Sequence, residues 1–202
     1  EERHKIGVQK FINIVHEAGF IYKKHYEGRY CQGCEEFKIE GVCENHPNEV
    51  VDRNEENYFF SLSLFKDFAL DFITKLEIVP ESRFNEIKNV INNDLQDISI
   101  SRKNQGWGIP IPWDESQVIY VWFDALLSYL TGIGFGTDEE KFNGLWKNSC
   151  HFIGKDITRF HCVLFPAMIE AYNQGSDKKI KYPKKVFSHG FIIQKKDDEL
   201  IN

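Results

Sequence analysis

An α/β protein built on a partial parallel sheet is the fold this sequence predicts, and three observations carry the prediction. From Ser99 onward, runs rich in β-branched and aromatic residues alternate with runs of helical period, the alternation that a parallel sheet requires. Residues 26–60 hold a Cys/His cluster with several glycines and short strand-like pieces, but nothing long enough to form a core alone. Residues 61–98 place apolar side chains at helical spacing in two blocks separated by Pro80. With 202 residues, 42 % apolar and 14 % aromatic, the chain can bury a substantial core. A net charge of −6, from 25 basic and 31 acidic residues, argues against general attraction to nucleic acid. No apolar run approaches membrane-spanning length, and EERHKIGVQKF is not laid out as a secretory signal, so a soluble, intracellular protein with no membrane partner is expected. An odd number of cysteines without a regular framework suits a reducing compartment.

The elements follow in order. Val8, Phe11, Ile12, Val15 and Ala18 mark an amphipathic helix over residues 4–18, with Gly19 suited to a left-handed cap. After the Cys/His segment, Leu64, Phe65, Phe68, Ala69, Phe72, Ile73 and Leu76 form a wide apolar stripe behind serines able to cap its start. Phe84, Ile87, Ile91 and Leu95 give a second helix, and the two are expected to pair as a hairpin. A Gly/Pro-punctuated loop, QGWGIPIP, leads into QVIYVWF, which reads as a buried strand, followed by the helix DALLSYLTG. The unit recurs as strand CHFIG with helix ITRFHCVLFPAMIEAY, and again as strand KVFSHGFIIQ. That is about half of a doubly wound domain, with ligands expected at the carboxyl ends of its strands.

In CQGCEEFKIEGVCENH the spacing is Cys31-x2-Cys34, eight residues, then Cys43-x2-His46. Three thiolates and an imidazole on two short chelating loops suit tetrahedral zinc (Zn2+), and four protein ligands leave no open position, so the metal is structural. Gly33 and Gly41 would relieve the tight turns. A disulfide, free thiols, or replacement of His46 by Glu44 or Glu49 as ligand are the alternatives.

Taken together, YEGRYCQGCEEF, EENYFFSLSLF, ISR with WGIPIP, VIYVWFDALLSYL, HFIGKDITRFH, FPAM and SHGF, in that order, resemble the methionyl-tRNA synthetase family of class I aminoacyl-tRNA synthetases over essentially the whole chain. The resemblance implies the second half of a class I Rossmann-like parallel-sheet domain with an inserted zinc-knuckle and helical connective peptide. Residues 1–24 would be a helix trailing the first catalytic half, 25–60 the knuckle, 61–98 a helical hairpin and 99–202 the second catalytic half. The implied activity is ATP-dependent joining of L-methionine to tRNA(Met) through methionyl-adenylate, with ATP and Mg2+ as substrate and cofactor. The family's HxGH and KMSKS motifs do not occur here, so no catalytic residue is assigned and the chain is expected to be an internal fragment, inactive alone. Lys195 and Lys196 are read as a solvated hairpin, not as a substitute for the second motif.

By the same resemblance Trp122, Ala125, Tyr129, Ile157 and His161 are the methionine wall. The spacing agrees: Ala125 and Tyr129 lie three and seven residues beyond Trp122, expected at a strand end, and Ile157 and His161 are one helical turn apart. Taken on spacing alone, Trp122 and Tyr129 read more readily as core aromatics. His161 would be a neutral hydrogen-bonding group, and Leu126 and Phe165 stand where other branches carry Pro and Trp. For ATP, Gly154 gives room, Asp156 accepts from ribose hydroxyls or caps the next helix, and His189 and Ile192 form the adenine side. Lys155 could meet phosphate or solvent, and Arg102 could order the insertion on the catalytic half. The lysines of DKKIKYPKK read as a solvated loop or a tRNA phosphate contact. The rival functions are a stand-alone zinc-knuckle module binding RNA or protein, and another class I synthetase.

Overall fold

A computed structural model describes residues 1–33, 36–38, 42–43, 46–191, 194–196 and 199–201. Helix α1, Glu2–Glu17, buries Val8, Phe11, Ile12 and Val15 completely. It ends as the sequence predicts, with Gly19 at φ +84°. It packs on α4, Val121–Thr131, and α6, Phe165–Gly175, forming the main core. Phe11 stacks on Tyr172 with ring centroids 4.9 Å apart.

The approach of α1 to α4 is close enough to demand glycine. A Cβ on Gly7 would stand 2.5 Å from Thr131 Cγ2 and 2.9 Å from the Phe135 carbonyl oxygen. Gly7→Val is therefore expected to lose about 3 kcal/mol of stability, since overpacking here must push backbone aside; the chemical-denaturation midpoint would show it. Beside this contact His4 bridges the helices, its Nε2 2.7 Å from Asp124 Oδ1 and its Nδ1 2.7 Å from Thr131 Oγ1.

Residues 21–60 correct the expectation of short strand pieces. β1, Ile21–Cys31, and β3, Val50–Phe60, pair antiparallel over all 11 positions, from Ile21↔Phe60 to Cys31↔Val50. β2, Glu36–Lys38, adds to the far end of β1. Polar residues such as Lys23, Lys24, Glu55 and Glu56 obscured the strand signal, because the middle of this ribbon has little core to cover. Its base is anchored by Ile21, Tyr58, Phe59 and Phe60, all under 10 % exposed. β5, Ile98–Ser99, continues that sheet beside β3.

A short 3-10 turn, Leu62–Phe65, leads into α2, Lys66–Lys75. The expected serine cap is not made. Instead the Ser63 amide and hydroxyl donate to Asp97 Oδ1 at 3.0 and 2.6 Å, while the Tyr22 hydroxyl donates to Oδ2 at 2.7 Å. Burial raises the Asp97 pKa, but these hydrogen bonds outweigh it and hold the carboxyl below its usual range.

α2 and α3, Ser82–Asp94, pack together as predicted, but what joins them is β4, Glu77–Val79. β4 pairs parallel with β10, Lys185–His189, which pairs parallel with β9, Cys150–Gly154. The segment 61–98 thus carries a strand of the same sheet as 99–202. Ile73, Ile87, Ile91, Ile153, Cys162 and Val186 form the second core, between the helices and one face of this sheet.

The strand expected at QVIYVWF needs a second correction. β8, Asp114–Ile119, stops before Tyr120 and lies antiparallel between β6, Ser101–Lys103, and β7, Pro110–Ile111, apart from the parallel sheet. Val121, Trp122 and Phe123 begin α4, because Phe123, Leu126, Leu127 and Leu130 make one buried helical stripe that overrides their β propensity. α5, Glu139–Trp146, is an element the sequence reading lacks; its Asp138 caps the Lys141 amide at 3.0 Å. β11, Gln194–Lys196, and β12, Glu199–Ile201, pair antiparallel, so Lys195 and Lys196 lie in a hairpin as expected. No helix among the described residues is long and apolar enough to cross a membrane.

Candidate functional site

Three of the five residues expected to face methionine share one face of α4. Trp122, Ala125 and Tyr129 follow one another at helical spacing opposite the buried stripe, with Tyr129 38 % exposed. Leu126 points inward and is 1 % exposed. Trp122 therefore belongs to the first turn of the helix, not to a strand end. Its ring stacks on Phe160, centroids 4.4 Å apart and planes at 10°.

The opposing surface comes from a chain segment of unusual winding. After β9, residues 155–157 form a 3-10 turn, Phe160–Leu164 a π-helical turn, and α6 follows with Pro166 in its first turn. π-turns of this kind recur at functional sites. This winding buries His161 to 2 % exposure and sets its Nδ1 3.0 Å from the Ile157 carbonyl and its Nε2 2.9 Å from the Tyr129 hydroxyl. A carbonyl only accepts, so Nδ1 carries the proton, Nε2 accepts, and the Tyr129 hydroxyl donates. Burial lowers the His161 pKa, with the Ile157 bond opposing; the ring is a neutral hydrogen-bonding group, as expected, and burial also raises the Tyr129 phenol.

His151 and Phe160 complete this surface and were missed. His151 sits on β9 with its ring 4.6 Å from Tyr129 and 5.3 Å from His161. The signal was the alternation within CHFIG, which puts His151 on the same buried face as Ile153. Burial, then the adjacent His161, push its pKa down to about 4. The sign follows: the unfolded chain takes up the proton first, so His151 costs no stability above the ordinary value of 6.5 and progressively destabilises as pH falls from there to about 4. The expected loss is roughly 3 kcal/mol. The unfolding free energy from denaturant titrations should fall more steeply with decreasing pH between these limits for the native chain than for His151→Phe.

The carboxyl ends of β9 and β10 bring the expected nucleotide residues together. Gly154 is paired in register with His189, and a Cβ on Gly154 would meet Asp156 Oδ1 at 2.7 Å. Asp156 is exposed and caps no helix, which leaves its carboxylate available for hydroxyl groups. The Thr158 and Ser188 hydroxyls, 2.7 Å apart and buried, tie the two strand exits together. Ile192 lies outside the described residues. Lys155 Nζ sits 4.3 Å over the Phe191 ring. Of the basic run, Lys178 pairs with Glu139 at 2.6 Å, Lys179 donates to the Ser176 carbonyl at 2.7 Å, Lys184 bonds Asn148 at 2.7 Å and Lys185 pairs with Glu77 at 2.5 Å, while Lys181 is exposed. Arg102 lies over the rings of Tyr120 at 4.4 Å and Tyr30 at 5.7 Å, joining the β1 ribbon to the start of α4 through aromatic faces.

At the far end of the ribbon the ligand atoms of Cys31, Cys43 and His46 all lie within 4.8 Å of one another. Cys43 Sγ is 4.0 Å from His46 Nδ1, close to the separation that thiolate and imidazole take around one tetrahedral ion. Cys34 lies outside the described residues. Gly33 is required, but not for a special dihedral, since its φ is not positive. A Cβ there would come 2.6 Å from His46 Cγ and collide with Glu49. The space that glycine leaves is what lets His46 swing in, and the donors fit a zinc ion.

A parallel sheet with the candidate residues at its strand ends, bearing an extended antiparallel insertion, is an α/β arrangement of the kind that class I aminoacyl-tRNA synthetases share. The model of the tRNA synthetases class I (M) family matches residues 38–198, and the chain belongs to that family. It is 40 % identical to the methionine–tRNA ligase of Streptomyces coelicolor, across 96 % of this chain and 38 % of the relative. The chloroplastic/mitochondrial ligase of Arabidopsis thaliana is 40 % identical across 96 % of this chain and 32 % of its own length. Methionyl-tRNA synthetase of Mycobacterium tuberculosis bound by methionyl-adenylate superposes with a TM-score of 0.84 at 34 % identity, covering 95 % of this chain and 39 % of that one. The chain thus spans less than two-fifths of these proteins.

Proposed function

We propose that this chain supplies the amino-acid wall, part of the nucleotide site and a structural zinc knuckle of a cytoplasmic, monomeric methionine–tRNA ligase. The observation that carries the reading is the Tyr129–His161–Ile157 hydrogen-bond chain, set beside the Trp122–Phe160 stack. Methionine's flexible thioether gains from aromatic contacts beyond simple burial, and a neutral imidazole makes the wall compatible with an uncharged side chain. Trp122, Ala125 and Tyr129 would line one side and Ile157 and His161 the other. Gly154, Asp156, His189 and Ile192 would receive ATP, the Asp156 carboxylate accepting from ribose hydroxyls. In activation the methionine carboxylate would attack the α-phosphorus, the bond to the β-phosphate would break and pyrophosphate would leave, Mg2+ neutralising the phosphates when bound; these residues would position and not react. Transfer to tRNA(Met) follows in the complete enzyme.

Zinc held by Cys31, Cys34, Cys43 and His46 would supply structure only, closing the tip of a ribbon that has no core of its own. A stand-alone binding module has no need of a pocket wall at the strand ends, and a synthetase that binds its amino acid through zinc would place the metal there, not at the tip of β1. Methionine-dependent ATP–pyrophosphate exchange tests the reading. Exchange is expected from the full-length enzyme, and methionine binding without exchange from this chain, which has neither nucleotide-gripping motif. Preference for another amino acid by the full-length enzyme would overturn it.

A further inference from the structure

We propose that His151 is a positioning residue that sets the depth of the amino-acid wall by backing the Tyr129 ring, and so determines the length of thioether the wall accepts; the substrate half of this inference rests on the methionine reading above. His151 fills a box of rings. Tyr129 stands at 76° to it with centroids 4.6 Å apart, Phe165 at 90° and 5.8 Å, Trp146 at 65° and 6.1 Å, and His161 at 57° and 5.3 Å. Only 5 % of the residue is exposed, and its Nε2 is buried without a hydrogen-bond partner. Rings on these sides make the shape of the imidazole the surface on which Tyr129 rests.

Tyr129 needs such a backing. Its hydroxyl is tied to His161, yet it is 38 % exposed and borders a cleft of about 260 Å³ lined also by Ile133, Leu145, Trp146 and His151. A smaller residue at 151 would merge its own volume with that cleft and let the phenol retreat, deepening the wall. The face of His151 carries no carboxylate or ammonium in these contacts, only Tyr129 and His161 as titratable neighbours.

The test compares methionine with ethionine, one methylene longer, in ATP–pyrophosphate exchange by the full-length enzyme carrying His151→Val or His151→Phe. Valine keeps the strand but empties the box; phenylalanine fills it without nitrogen. His151→Val is expected to cut the methionine-over-ethionine ratio of kcat/KM about ten-fold, the worth of one methylene in an apolar pocket, with the KM for ATP unmoved. His151→Phe should keep the native ratio. An unchanged ratio in the valine variant, or KM values for ATP and methionine rising in step, would overturn the proposal. A second readout is independent of substrate: nuclear Overhauser contacts between the Tyr129 and His161 rings should be present in the native and phenylalanine chains and lost with valine. Their persistence with valine refutes the positioning role. If the native enzyme activates no methionine, the functional reading and the substrate half fall together, and the ring contacts still decide the positioning half.

Discussion

Trp122→Ala is expected to lower kcat/KM for methionine activation in the full-length enzyme by about 100-fold, through KM more than kcat. Truncating a large aromatic that stacks on one partner and, on the proposed reading, would cover methionine on its other face removes about 3 kcal/mol of packing. That contact would be made with bound substrate and transition state alike, so its loss would read as lost uniform binding. Phe160, left without the ring 4.4 Å away, would lose its order as well, and Trp122→Phe should recover most of the loss. The KM for ATP is the control, because Gly154, Asp156 and His189 sit at the strand exits and not on α4. A fall in kcat with KM for methionine unchanged would remove Trp122 from the wall and leave it a core aromatic.

Cys31→Ser should empty the zinc site and unravel the ribbon tip while leaving the main core folded. Zinc bound by such sites contributes on the order of 10 kcal/mol to local folding, far more than the exposed Arg29–Asp52 pair and the Arg102–Tyr30 contact at that end can supply, and the buried anchors Ile21, Tyr58, Phe59 and Phe60 lie at the opposite end of β1 and β3. Bound zinc is expected to drop from one per chain to less than about one-tenth. Hydrogen exchange should rise sharply in Arg29–Cys31 and their partners Val50–Asp52, while amides of α1, α4 and α6 keep their protection. Uniform loss of protection would show that the knuckle belongs to the global folding unit. Retained stoichiometric zinc would show that Cys31 is not a ligand.

The local spacings were more legible than the scaffold that holds them. Trp122, Ala125 and Tyr129 carry a helical spacing whichever element begins them, so moving Trp122 from strand to helix left their shared face intact. Ile157 and His161 likewise kept their relation through the π-turn. What the sequence concealed were features without a local signature. β4 is three residues long, shorter than any periodicity can register, and is a strand only because β10 lies beside it. The long ribbon is polar through its middle because it projects from the core, so its alternation is lost. His151 was visible as part of a strand, but its role depends on Tyr129, 22 residues earlier and on another element. Metal-ligand spacing, by contrast, is a local code, and the three described members of the four-residue candidate cluster converge as the spacing demands.

The short strand β4 also changes how the chain should come apart. A segment lying between two others in sequence suggests a module that a protease could release by cutting at its ends. Here Glu77, Ile78 and Val79 are laced to Lys185, Val186 and Phe187, and Ile87 and Ile91 share a core with Ile153 and Val186. Nicking the connection near Gln96 should therefore leave both pieces associated through gel filtration. The molecule would behave as a two-piece complement, in which severing the covalent thread does not separate the parts.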